Sequence, residues 1–367
     1  MAVAAGAVLL AVGLGYLFRG HRAAEVVSVP VTLEEASQPA TPMTVVVSPA
    51  KLPSPPLVAV VPPSAVSFSN SVSLLLTNTG EMPKLPREAI DRWLATGRTN
   101  AEDLLAARQA GGDVEFLRLA LTNFPNDPRV LVAASALEET PAERRARLDR
   151  LKAAAPDNAL ADYLSARDHL KSGQTAEALA DLTAASGKKG FQDYSLDALQ
   201  NAEELYLQAG KSPAEAKLLA ANSCLLPHLV QFKGLAQDLA GLEQQYLAAG
   251  DPTSAERLAQ IGFQLGQHLI DGEGSRTLIG QLVGISVERI SLKPLDAEKN
   301  YDFLQGTVPD RIAQLDARRL AVRDSTKSLD SWMRNANEAD LISYFDRFKL
   351  SGESGALAWM QKRQGAR

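Results

Sequence analysis

The sequence predicts an all-α chain of short paired helices held on an N-terminal tether, and three observations predict it. From residue 87 onward apolar residues recur at helical spacing: Leu235, Leu239, Leu242 and Tyr246 fall at steps of four, three and four, on one stripe of a helix. Aromatics are only 5% of residues while alanine and leucine abound, a composition suited to helices that approach closely through small side chains. Ahead of residue 87 neither pattern holds, and the chain is first apolar and then rich in proline.

The apolar opening, residues 2–18, carries no charge over seventeen positions and is followed at once by Arg19, His21 and Arg22. As a helix it would rise roughly 26 Å, against ~30 Å for the hydrocarbon of a bilayer; Tyr16, Phe18 and the two arginines would sit at the interface and relieve the mismatch. Residues 1–22 are therefore expected to form a single-pass transmembrane anchor, its short span suiting a bacterial inner membrane. A cleaved secretory leader is the competing expectation, although no basic residue precedes the apolar run and no small-x-small cleavage site follows it. Orientation stays open. Positive charge after the anchor would keep the rest of the chain in the cytoplasm, a basic leader ahead of Met1 would reverse that, and the long tether favours the outer side.

Residues 23–86 hold eleven of the twenty prolines and, up to Gly80, four charged residues: Glu25, Glu34, Glu35 and Lys51. Pro53, Pro55, Pro56, Pro62 and Pro63 fix φ and remove donors, so extended, solvated backbone is favoured and a mostly disordered tether is expected. A coil of this length spans roughly 40 to 50 Å. The valine clusters at 45–47, 58–61 and 72–76 are apolar enough to dock on the helical part as short extended segments.

Residues 87–293 carry the helical signal. Further one-sided faces are Leu160, Tyr163, Leu164 and Leu170; Leu258, Gly262, Leu265 and Leu269; and, beyond residue 293, Leu341, Ile342, Phe345 and Phe348. Pro125, Pro128, Pro141, Pro156, Pro213 and Pro252 mark starts, Gly173, Gly210 and Gly250 mark ends, and about sixteen short helices are expected. A pentad repeats: His169-Leu170-Lys171-Ser172-Gly173, Tyr206-Leu207-Gln208-Ala209-Gly210 and Tyr246-Leu247-Ala248-Ala249-Gly250, at spacings of 37 and 40 residues. Such periods belong to helix-pair repeats, with the glycine as left-handed residue after the first helix and a second helix starting two to four residues on. Hairpins of this kind bury their apolar flanks only against neighbours, so side-by-side stacking in chain order is expected, with residues 294–367 as a helical cap.

On these residues the chain resembles the tetratricopeptide-repeat family. Aligned on Gly173, the small residue of the first helix falls at Ala166, the large helix-end residue at His169, the second-helix alanine at Ala178 and the bulky position at Leu182. Tyr206 and Tyr246 occupy the helix-end position in the next two units, while Asp162 and Gly190 stand where the family has an aromatic residue and a proline. The resemblance spans about residues 113–265 and implies a right-handed α-solenoid whose concave groove binds a peptide or partner protein, without catalysis or cofactor.

Chemical motifs are sparse. His21, His169, His228 and His268 include no pair spaced to share a helix face, and Cys224 stands alone, so no metal site, no disulfide and a buried inert thiol are expected. A net charge of −5 with mixed signs gives no field for nucleic acid. Gly272-Glu273-Gly274 reads as a turn. The Gly262/Gly266 and Gly280/Gly284 spacings read as close helix packing. Arg144, Arg145, Arg147, Arg150 and Lys152, interleaved with Glu143 and Asp149, read as a solvated helix face or, more sharply, a contact for an acidic partner. The function expected is a membrane-tethered scaffold for an unidentified protein or peptide. Two alternatives remain: an all-helical hydrolase using paired carboxylates on the same tether, and a secreted helical-repeat protein.

Overall fold

The computed structural model describes residues 83–224, 226–271 and 276–365. The expected anchor, nearly all of the tether and the Gly272-Glu273-Gly274 turn lie outside the described residues. Among those described, no helix is long and apolar enough to cross a membrane.

The fold is all-α. The N-terminal helices are α1 (Arg87–Leu94), α2 (Ala101–Gly111), α3 (Glu115–Asn123), α4 (Pro128–Ala133) and α5 (Pro141–Ala154). Three hairpins follow: α6 (Ala159–Lys171) with α7 (Thr175–Gly187), α8 (Leu199–Gln208) with α9 (Pro213–Asn222), and α10 (Pro227–Ala248) with α11 (Pro252–Ile270). After α12 (Leu278–Leu292) a minimal antiparallel pair, β1 (Asn300–Tyr301) and β2 (Gly306–Thr307), leads into α13 (Val308–Asn335) and α14 (Glu338–Gly365). α13 runs for 28 residues, longer than the short rods the sequence suggested, whereas the 338–365 span of α14 is two shorter helices joined at Gly352.

Local chemistry explains the boundaries. Proline opens α4, α5, α9, α10 and α11, where its missing N–H has no helical partner to lose. Thr140 with Glu143, and Ser212 with Glu215, form reciprocal boxes at the starts of α5 and α9. The three pentads end in the same turn. Gly173, Gly210 and Gly250 have φ of +74°, +85° and +78°, left-handed values that a side chain would resist. The residue after each glycine donates its N–H back to the first pentad residue: Gln174 to His169 at 2.9 Å, Lys211 to Tyr206 at 3.1 Å, Asp251 to Tyr246 at 2.9 Å. Each glycine N–H bonds the pentad leucine, which completes the six-to-one and five-to-two pattern of a Schellman cap.

Two large cores organise the helices. One joins α1, α2, α3, α8 and α9 with the facing ends of α13 and α14, through Trp93, Leu117, Tyr206, Leu219, Trp332, Tyr344 and Phe348. The other joins α4 to α7 with α10, α11 and α12, through Leu131, Leu151, Tyr163, Leu182, Phe232, Leu239 and Val287. Glycine sets the closest approach in the second core: a Cβ at Gly284 would lie 2.8 Å from the carbonyl oxygen of Gly266, so α11 and α12 meet backbone to backbone.

The hairpins do not stack in chain order. The first and third lie directly together, α6 against α10 and α7 against α11, whereas the second packs on α1 and α2 and against α14. The cause is the segment at 188–198, which crosses from the second core, where Phe191 is buried, to the first, where Leu196 is buried. Nor does the C-terminal part simply close one end of a row. Lys217 of α9 and Lys349 of α14 share the Glu203 carboxylate of α8, at 2.6 and 2.5 Å, and so tie α14 across the second hairpin.

α14 breaks at Gly352, φ +70°, where a Cβ would meet the Arg276 carbonyl oxygen at 2.8 Å. Beyond the break, the Glu353 N–H donates to the Arg276 carbonyl at 2.7 Å, and the Glu353 carboxylate accepts from the Leu278 N–H at 2.7 Å. The second half of α14 thereby seals the N-terminus of α12.

Candidate functional site

Three places gather polar chemistry. The first is the crossing segment itself. Asn158 holds it with its whole amide: Oδ1 accepts from the N–H groups of Leu160 and Gln192 at 3.1 and 3.0 Å, and Nδ2 donates to the Gln192 carbonyl and the Tyr194 hydroxyl at 2.8 and 3.3 Å. Tyr194 sits at φ +57°, a conformation that costs a bulky residue about 1 to 3 kcal/mol. Beside it, His228 Nε2 lies 3.3 Å from Asp193 Oδ2, and Cys224 Sγ donates to the Ser195 carbonyl at 2.8 Å. Burial works against ionisation of Asp193, but contact with the His228 imidazole and with Ser195 holds its pKa below the ordinary value. Burial, reinforced by Asp193 and Asp197, pushes the Cys224 thiol up.

A thiol, an imidazole and a carboxylate are thus neighbours, the raw material of nucleophilic catalysis. Their states suit a structural role. The thiol is kept protonated, and the imidazole is 1% exposed. Burial raises Asp197, with Arg129 and Arg276 opposing and Asp193 adding to the rise.

The second place corrects the reading of the basic run as a solvated face. α5 turns those cations onto buried aspartates of α6 and α7. Arg144 Nε binds Asp168 at 2.7 Å, Arg145 reaches Asp168 at 3.4 Å and Lys152 binds Asp181, while Lys188, just after α7, binds Asp162. Arg147 is buried against Glu139, at 2.9 Å, and the Leu131 carbonyl, at 3.1 Å. Spacing along α5 could not show this, because the acidic partners lie on other helices. Buried aspartates without these cations would cost several kcal/mol, so the seam locks α5 to the first hairpin.

The third place is the outer surface where α6 meets α10. There the Arg167 guanidinium lies across Gly234, at a spot where a Cβ would overlap it. Arg167 Nη1 donates to Gln231, its Nε has no hydrogen-bond acceptor among the described residues, and the nearest carboxylate oxygen, of Asp238, is 3.8 Å away. Burial lowers the Arg167 pKa, with Asp238 opposing. Lys171 follows one turn later, exposed at the edge. Burial lowers its pKa too, and the positive charges of Arg167 and Arg144 lower it further. Three cations from two helices here outweigh their counter-charge, because Asp168 is shared with Arg145 and Asp238 is itself raised by burial.

Of the residues singled out in the sequence, Ala166, Ala178, Leu182 and Tyr206 are buried in the cores, and Tyr246 is half-buried against the second. With the three turn glycines they build the scaffold. Only Lys171, inside the first pentad, reaches the cationic surface. Arg167, Gly234 and Asp238 were missed; the one available signal was a glycine in the interior of the α10 pattern. Among the described residues no group of histidine, cysteine and acidic side chains is placed to hold a metal. Comparisons with protein-family models, with curated proteins and with solved structures gave no match.

Proposed function

We propose that the chain is a membrane-tethered protein-interaction module, in which tetratricopeptide-like hairpins present the α5, α6 and α10 surface to a partner and the N-terminal anchor holds that surface at the bilayer. One observation carries the reading: cationic side chains concentrate, under-compensated, where the first and third hairpins meet, while the imidazole of the crossing is sealed inside and its thiol, only half-buried, is held protonated. Burial disfavours the Arg167 and Lys171 charges, like-charge crowding disfavours Lys171 further, and an opposite charge recovers part of that free energy. Val230 and Gln237 flank this surface on α10 and are exposed.

The test is site-specific photocrosslinking in intact membranes of the source cell. Crosslinkers at Val230 and Gln237 are expected to yield the same discrete partner, and one at the remote, exposed Lys327 of α13 none. Equal capture at all three positions, or none at Val230 and Gln237, contradicts the reading.

A further inference from the structure

We infer that Arg167, Lys171 and Arg144 form the seat for a side-chain carboxylate of an acidic peptide segment, with Gly234 as its floor; this rests on the interaction reading above and specifies the partner. Glycine in the interior of a helix is unfavourable by about 1 kcal/mol relative to alanine, so Gly234 in the middle of α10 calls for a local reason. The reason on view is Arg167. Without a side chain at 234, the guanidinium occupies the space beside the glycine, and any Cβ there would displace it.

The donors so placed are not used up. A guanidinium offers five N–H groups in a planar fork. One goes to Gln231, Nε is buried, and Asp238 stands beyond hydrogen-bond range at 3.8 Å, so the Arg167 charge has no carboxylate bonded to it among the described residues. Lys171 makes no ion pair among the described residues, and its charge is disfavoured first by burial and then by the arginines that border it. Arg144, engaged to Asp168 through Nε at 2.7 Å, completes the edge on α5. A carboxylate docked against the exposed part of the Arg167 side chain would face Lys171 and offset the like-charge crowding in one step. Asp238, half exposed on the α10 side, is the one acid that would resist it.

The chemistry favours a peptide carboxylate over other anions. None of the residues forming the seat is aromatic, so there is no platform for a base to stack on. The cations are spread over two helices, α5 and α6, rather than gathered at one point, which fits successive acidic residues of an extended chain better than a single compact anion.

The experiment uses the full-length protein in nonionic micelles and fluorescence anisotropy of a labelled ten-residue polyglutamate, with polyglutamine as the neutral control. Polyglutamate is expected to bind and polyglutamine not to. K171Q, at an exposed position that leaves folding intact, and R167Q should each weaken binding roughly tenfold, the scale of one charge-assisted hydrogen bond. K327Q should leave it unchanged. Bound polyglutamate should also slow reductive methylation of Lys171, read by mass spectrometry, because it covers the amine and raises its pKa. Polyglutamate bound equally by K171Q, R167Q and the unaltered protein overturns the seat. Displacement by inorganic phosphate at concentrations comparable to the peptide overturns the peptide assignment in favour of a phosphate group. If polyglutamate fails while crosslinks at Val230 and Gln237 persist, the carboxylate inference falls and the interaction reading stands; if both fail, both fall.

Discussion

Glu353 offers a quantitative prediction. It is fully buried where α14 meets the start of α12, and burial raises its pKa to about 7, with the Leu278 N–H opposing. Consider Glu353→Gln, which keeps a carbonyl oxygen for the Leu278 N–H and removes the charge. A folded pKa of about 7 against an unfolded value near 4.5 means that the folded state holds a proton the unfolded state has lost across that window. Stability contributed by this group is therefore highest below pH 4.5 and declines as pH rises toward 7. The shift of roughly 2.5 units, at 1.36 kcal/mol each, makes the native carboxyl cost about 3 kcal/mol at pH 8. Urea unfolding followed by circular dichroism, from pH 4 to 8, should show the variant near the parent protein at pH 4 and about 3 kcal/mol more stable at pH 8. Glu243, buried without a partner and raised to about 8, adds a slope of the same sign. It is common to both proteins and cancels in the difference. A difference that stays flat with pH, or a variant less stable at pH 8, would refute the argument.

Three further outcomes follow from the same geometry. Gly250→Val should lower stability by about 1 to 3 kcal/mol by urea unfolding; no atom lies within 4 Å of the added Cβ, so the cost is that of φ +78° alone, and an unchanged midpoint would contradict the turn. Asn158→Ala removes the cap on Leu160 and both clamps on Gln192, for about 2 to 4 kcal/mol, and should raise amide exchange across residues 188–198 more than within α11. Cys224 should react with a thiol reagent at pH 8 orders of magnitude more slowly in the native protein than after denaturation, since its thiol is held protonated; equal rates would contradict its placement.

What the sequence revealed follows the range of the information. The hairpin turns were legible because the left-handed residue after a helix needs glycine and the next helix needs its own cap, all within eight residues, as in Tyr246 to Pro252. Helix starts at Pro213 and Pro252 were legible for the same reason. The order in which hairpins pack was not. That order is set by Phe191 and Leu196 entering different cores, and a run such as Phe191-Gln192-Asp193-Tyr194-Ser195 carries no periodic signal. The candidate surface was half legible. Charge on α5 stood out, but the aspartates that neutralise much of it, Asp162, Asp168 and Asp181, sit on neighbouring helices, and Arg167 finds Gly234 only through the fold.

The most direct test of the central claim is lysine labelling of the protein in its native membrane, compared residue by residue with the detergent-purified chain. Lys171, Lys327 and Lys362 are all exposed in the free protein. An interaction module that works through the α6–α10 surface predicts Lys171 selectively protected in the membrane, with Lys327 and Lys362 labelled as before. Equal labelling of Lys171 in both settings, or protection that falls on α13 and α14 instead, would contradict it.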